Sequence, residues 1–169
     1  NRNVWFLKMR EYSEKLLKNI DNITMAENLK EAQRNWIGRS EGIELDLGLY
    51  DENGNKKENL SIFTTCIETV YGITFVVLAP ENELIEKLSS SIQNMDEVRA
   101  YQEKTALRSE FDRMSQVKDK TGCILKGIYA KNPVTDDLVP VYIADFVLNG
   151  YGTGAVMAVP CHDQRDYEF

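Results

Sequence analysis

The sequence predicts an α+β domain with a curled mixed sheet or β-barrel at its core and helices around it. Three observations carry this expectation. Strand-like segments occupy 43–79 and return at 123–159. A charged stretch of helical periodicity, 82–116, lies between them as one insertion and does not alternate with the strands. The run Gly150-Tyr151-Gly152-Thr153-Gly154 leads into an apolar strand ended by Pro160, and then into a polar corner, Cys161 to Asp166.

The elements follow in order. Trp5, Met9, Tyr12, Leu16 and Ile20 recur at helical spacing, so 3–20 reads as an amphipathic helix. Asp21-Asn22 interrupts it, and Thr24 with Glu27 forms a capping-box pattern ahead of a second helix carrying Leu29, Ala32 and Trp36. Residues 1–36 therefore read as a helical lead-in and 37–169 as the main domain. Ile43, Leu45, Leu47 and Leu49 alternate with Glu44, Asp46 and Gly48 as a half-buried strand. Asn53-Gly54 marks a tight turn, with Leu60 to Thr65 returning. A third strand runs over 73–79 to Pro80, and two helices broken near 89–94 fill the insertion through Leu84, Leu88, Val98, Tyr101 and Phe111. Strands resume at 123–130, 138–148 and 154–159, with turns at Asn132-Pro133 and Asn149-Gly150.

Bulk properties exclude several classes of function. The 169 residues are 43% hydrophobic and 28% charged, as in a soluble globular domain. No apolar run approaches a membrane span, and no signal peptide opens the chain. Three scattered cysteines without CxxC spacing point to a reduced, cytoplasmic protein without a zinc site. A single histidine excludes a metal site of several imidazoles. The net charge of -7 argues against a broad duplex-binding surface, yet leaves contact with a single-stranded end open.

Two constellations carry chemistry. The loop Phe63 to Gly72 holds Thr64, Thr65, Glu68 and Thr69; hydroxyls both donate and accept, which suits a bound water or a ribose. Threonine also favours strands and turns for structural reasons alone. At the second, His162-Asp163-Gln164-Arg165-Asp166, the two carboxylates stand three apart on a first helical turn. They suit a cationic amine, with Arg165 as counter-charge, or equally serve the helix dipole. No GxSxG motif and no oriented Cys–His pair supports a covalent acyl-enzyme, and Cys161 reads as structural.

Together these motifs resemble the editing (connective-peptide) domain of bacterial-type leucyl-tRNA synthetases, over nearly the whole chain. The carriers are Asn35-Trp36-Ile37-Gly38-Arg39-Ser40-Glu41-Gly42, the loop Phe63 to Gly72, and the block Tyr151 to Phe169. Trp5-Phe6-Leu7-Lys8 is similar to the segment just before that insertion. The resemblance implies the editing-domain fold of the leucine, isoleucine and valine synthetases. It also implies hydrolysis of mischarged leucine tRNA (norvaline, isoleucine, methionine) by a positioned water, with a ribose hydroxyl assisting. A leucine pocket rejects similar aliphatic side chains by only about 10–200-fold per methylene, so a second sieve adds fidelity.

By the same resemblance, Asp166 pairs with the substrate α-ammonium and Asp163 supports that site or its water. Thr64 and Thr65 position the water and adenosine, and the bulk of Thr69 excludes leucine. Met157 and Val159 form the pocket wall with Tyr151 near the adenosine, and Glu68, His162 and Arg165 complete the substrate contacts. The implied partners are the 3′ end of leucine tRNA, aminoacyl-adenosine and the rest of the synthetase, with no membrane and a monomeric fragment. Editing needs no metal or cofactor; ATP and Mg belong to aminoacylation, whose HIGH- and KMSKS-type signatures are not in this sequence. The family loop usually reads Thr-Thr-Arg-Pro-Asp-Thr, whereas Cys66-Ile67-Glu68 stands here. That departure removes a cation and a stiffening proline, so an editing fold that only binds the tRNA end is the alternative.

Overall fold

The computed structural model describes residues 5, 7–39, 41–108, 113, 120–150 and 152–169. Two compact units divide the chain, 1–41 and 42–169.

In the first unit a 3-10 turn, Met9–Tyr12, leads into α1 (Ser13–Ile20), and α2 (Glu27–Ile37) follows. The predicted first helix thus begins as a tighter turn; positions 3, 4 and 6 lie outside the described residues. Of its apolar stripe only Ile20 is buried, while Trp5, Met9, Tyr12 and Leu16 are exposed. Two short helices lack the area to cover each other's apolar faces. The capping box expected from Thr24 and Glu27 does not form. Ala26 holds the N-cap position without a side-chain bond. The Glu27 carboxylate instead accepts from Arg34 at 3.0 Å, part of an exposed cluster in which Arg34 also meets Asp21 and Glu31. Gly38 ends α2 at φ 66°, the left-handed cap that glycine adopts without strain.

The second unit is built on β1 (Ile43–Asp51), β2 (Lys56–Thr64), β3 (Phe75–Leu78), β4 (Gly122–Lys131), β5 (Leu138–Ala144) and β6 (Ala155–Ala158). They form one mixed sheet in the order β2-β1-β4-β5-β3-β6, antiparallel except for β3 beside β5. The outer strands β2 and β6 approach within 8 Å between Cα atoms, so the sheet is a nearly closed barrel. An irregularity between Ile124 and Tyr129, with Gly127 at φ 87°, interrupts the β4–β5 ladder, the kind of bulge that bends a sheet.

The alternation of β1 and β2 points Leu47, Leu49, Leu60 and Ile62 into a core completed by Val76, Leu78, Leu125, Val141 and Ile143. α3 (Glu83–Lys87) and α4 (Met95–Ala106) supply Ile85 and Val98 to it, with Leu88 just after α3. Over residues 82–108 of the insertion, all described, these two helices are broken near 88–94, as the periodicity predicts; Phe111 lies outside the described residues. On the opposite sheet face Val77, Ala144 and Ala158 pack with Phe75, Tyr142, Phe146 and Phe169. The buried carboxylate of Asp145 is satisfied by Arg108 and by Thr121, whose hydroxyl donates at 3.0 Å; Tyr101 donates to the Thr121 carbonyl at 2.6 Å. This network ties the end of α4 to the start of β4 and the end of β5.

Candidate functional site

The polar corner forms because β6 ends at Ala158 and Pro160 cannot extend the ladder. The Val159 carbonyl accepts from the backbone N–H groups of His162 and Asp163 at 2.9 and 3.0 Å, closing the turn. Asp163 then caps the short helix α5 (Gln164–Glu168), accepting the Arg165 N–H at 2.7 Å. The Arg165 guanidinium also grips the Asp163 carboxylate, at 2.8 Å through Nη2 and 3.2 Å through Nε. These bonds hold the Asp163 carboxyl at about 2, below the usual carboxylate range.

Asp166 has a different environment. Its Oδ2 accepts the Val159 N–H at 2.8 Å, and among the described residues Oδ1 has no protein donor. Partial burial pushes its pKa up, against the lowering effect of the Val159 N–H. The counter-charge expected from Arg165 thus goes to Asp163, two residues before it, and Asp166 Oδ1 is left without a donor among the described residues. Five residues cannot sustain a helix unaided. Two anchors hold α5: Lys120 Nζ donates to the Arg165 carbonyl at 3.0 Å, and the Phe169 ring sits 5.6, 5.7 and 5.4 Å from those of Phe75, Tyr142 and Phe146. Gly122 makes this seat possible, since a Cβ there would overlap the Phe169 ring and lie 2.9 Å from the Ile143 carbonyl oxygen.

The threonine loop leaves β2 at Thr64 and enters a 3-10 turn, Ile67–Gly72, with Cys66 at its N-cap. Thr64 Oγ1 accepts the Cys66 N–H at 3.1 Å, and Thr69 Oγ1 donates to the Cys66 carbonyl at 2.8 Å. The Thr65 hydroxyl meets only Cys66 Sγ, at 3.7 Å, among the described residues. By residue exposure, Cys66 is exposed, Thr64 partly buried and Val70 buried.

Loop and corner lie at the same end of the sheet. The chain runs from the loop into β3, where Thr74 donates to the Ala158 carbonyl at 3.1 Å and Phe75 pairs with Ala158. A Cβ on Gly72 would lie 3.0 Å from Val159 Cγ1 and 3.1 Å from Cys161 Sγ, so the end of the turn abuts the start of the corner. Val159 is buried in the core and Met157 packs against it, whereas His162 is exposed. Tyr151 lies outside the described residues. In the glycine run before β6, Gly154 at φ 68° lets Asn149 approach closely, whereas a Cβ on Gly150 would meet nothing within 4 Å.

Sequence reasoning missed three supporting residues. Lys120 and Phe169 hold α5, and the buried Asn132 donates to the Val70 carbonyl at 2.8 Å, tying down the far end of the loop. Only the Asn-Pro turn marked Asn132; nothing local indicates a partner 62 positions away. Among the described residues no group of three His, Cys, Asp or Glu side chains could hold a metal ion, and no helix is long and apolar enough to cross a membrane. Two open depressions, of about 230 and 290 Å³, are lined by residues outside both loop and corner.

Comparison with known proteins gives the geometry its context. A leucine–tRNA ligase of Alkaliphilus oremlandii is 46% identical over 99% of this chain, and one of Mycoplasma capricolum is 48% identical over 98%. The chain spans 20% of the length of each. Among solved structures it is similar to a ternary complex of the Agrobacterium radiobacter K84 agnB2 LeuRS with tRNA and LeuAMS. That match has a TM-score of 0.69 and 32% identity, and covers 96% of this chain and 19% of the other. The family model described as leucyl-tRNA synthetase, editing domain, matches residues 34–169. With the barrel, the loop and the corner all inside that range, the chain belongs to the leucyl-tRNA synthetase editing-domain family.

Proposed function

We propose that this chain hydrolyses the ester joining a wrong amino acid to the terminal adenosine of leucine tRNA, with norvaline, isoleucine and methionine as substrates. The observation that carries this reading is the meeting, at one end of a barrel of this family, of a hydroxyl-rich loop and a half-buried carboxylate with one oxygen unused among the described residues.

In this reading Asp166 receives the substrate α-ammonium on Oδ1 while Val159 N–H holds Oδ2. A charge-assisted bond of this kind fixes the aminoacyl group. Thr65, with Thr64 beside it, orients a water toward the ester carbonyl, and Thr69 limits the space left for a leucine side chain. Water adds to the carbonyl carbon, the ester C–O bond breaks, and the ribose oxygen leaves with a proton, giving a free amino acid and an uncharged tRNA end. No protein nucleophile is needed; positioning and electrostatic stabilisation supply the acceleration. Asp163 serves the site indirectly, by capping α5 and holding Arg165. The partners are the 3′ end of leucine tRNA and the rest of the synthetase.

The test is deacylation of isoleucyl- and norvalyl-leucine tRNA by the full-length synthetase. Release of the wrong amino acid with leucyl-tRNA spared supports the reading, and no release refutes it. The Cys66-Ile67-Glu68 stretch, with Cys66 exposed, favours a second reading, a fold that binds the tRNA end without hydrolysis. In that case aminoacyl-adenosine binds the wild type without turnover, and Cys66→Arg gains activity.

A further inference from the structure

The three hydroxyls of the threonine loop are engaged differently. Cys66 stands at the N-cap of the 3-10 turn with φ -128° and ψ 65°, and its thiol makes no capping bond. A helical turn ordinarily draws on a Ser, Thr, Asp or Asn side chain there. Here the neighbouring hydroxyls grip the Cys66 peptide: Thr64 Oγ1 accepts its N–H at 3.1 Å, and its carbonyl accepts from Thr69 Oγ1 at 2.8 Å and from Thr69 N at 3.1 Å. Both grips have rigid supports. Thr64 is the last residue of β2, paired with Ile43 of β1. Val70, beside Thr69, is 5% exposed and has its carbonyl held by Asn132. Thr69 spends its only hydroxyl hydrogen on Cys66, so it keeps bulk but no donor for a substrate. Thr65, between the two grips, has no such commitment among the described residues.

We propose that Thr64 and Thr69 are positioning residues that clamp the Cys66 peptide from both sides, and that the clamp orients Thr65 as the loop hydroxyl meeting the substrate or its water. The inference rests on the editing reading above and divides the labour within that site. The clamp keeps the adjacent Thr65 from sampling rotamers and backbone states that point away from the ester, and preorganisation of this kind appears in turnover more than in binding.

The experiment uses the full-length synthetase with Thr64→Val, Thr69→Val, Thr64→Ser and Thr69→Ser. Valine removes the hydroxyl at nearly constant shape, and serine keeps it. Each valine variant lowers kcat for isoleucyl-tRNA deacylation about five- to tenfold, the effect of one neutral hydrogen bond, with little change in KM. Serine at either position restores kcat. The double valine variant loses no more than the worse single one, because both hydroxyls act on one peptide. Amide hydrogen exchange in a peptide covering 63–72 accelerates in the valine variants. Unchanged exchange and kinetics in both valine variants overturn the clamp. Faster exchange with unchanged kcat overturns its link to Thr65, and failure of serine to restore kcat overturns the hydroxyl basis. A wild type inactive on mischarged tRNA overturns the editing reading instead, and exchange still decides whether the clamp exists.

Discussion

Replacing Asp166 with asparagine separates the bond its carboxylate makes to the Val159 N–H from the one proposed for it with the substrate α-ammonium. The substituted amide keeps an oxygen for the Val159 N–H now held at 2.8 Å, so the link between β6 and α5 survives. The charge is lost, and with it the ionic partner for an α-ammonium. A hydrogen bond to a charged group contributes about 1.5–3 kcal/mol, so kcat/KM for isoleucyl-tRNA deacylation falls roughly 10–150-fold. Stability moves the other way. Burial raises the folded-state pKa of Asp166 above its unfolded value, so the folded protein holds this proton more tightly. The resulting stabilisation is complete below the unfolded pKa and is lost as pH rises through the folded one. The asparagine variant does not titrate and carries no such penalty, so its thermal midpoint gains on wild type between about pH 3.5 and 7. Asp166→Ala orphans the Val159 N–H and loses about 1–3 kcal/mol along with activity. Single-turnover deacylation and melting curves at both pH values decide the matter. Full activity in Asp166→Asn, or parallel collapse of activity and stability in both variants, would refute the separation.

The supports of this site carry two more expectations. Asp163→Ala removes the α5 cap and the Arg165 grip, lowering the melting temperature by roughly 2–4 °C at pH 7 for a loss of about 1 kcal/mol. Because the folded-state pKa of Asp163 is depressed to about 2, its ionic contribution is present above the unfolded pKa and lost as pH falls through the folded one. The gap between variant and wild type therefore narrows in acid, and a gap independent of pH would contradict the ionic account. Gly122→Ala forces a methyl against Phe169 and the Ile143 carbonyl, costing about 1–3 kcal/mol in urea unfolding and slowing deacylation as α5 shifts. An unchanged urea midpoint would show that the aromatic seat is not close-packed.

Much of the architecture is legible because it is encoded within a few residues. Ile43 to Leu49 alternate and become β1, and Asn53-Gly54 becomes the hairpin turn with Gly54 at φ 78°. The glycine run ending at Gly154 precedes β6, and Asp163 caps α5 where the start of a helix is readable. Where short-range signals mislead, a competing partner wins. Thr24 and Glu27 spell a capping box, yet Glu27 turns to Arg34 and the helix starts with Ala26 at its N-cap.

The sequence by itself determined the α+β class, the helical insertion and the two segments in which reactive groups are concentrated, because periodicity and turn chemistry act over a few residues. Only the tertiary structure decided that β3 lies parallel to β5 and antiparallel to β6, which brings the threonine loop beside Val159 and the corner. It also decided that Arg165 serves Asp163, leaving Asp166 an oxygen without a protein donor among the described residues, and that Asn132, Lys120 and Phe169 support loop and helix from distant positions. Such contacts depend on which surfaces meet when the barrel closes, and no local spacing encodes that.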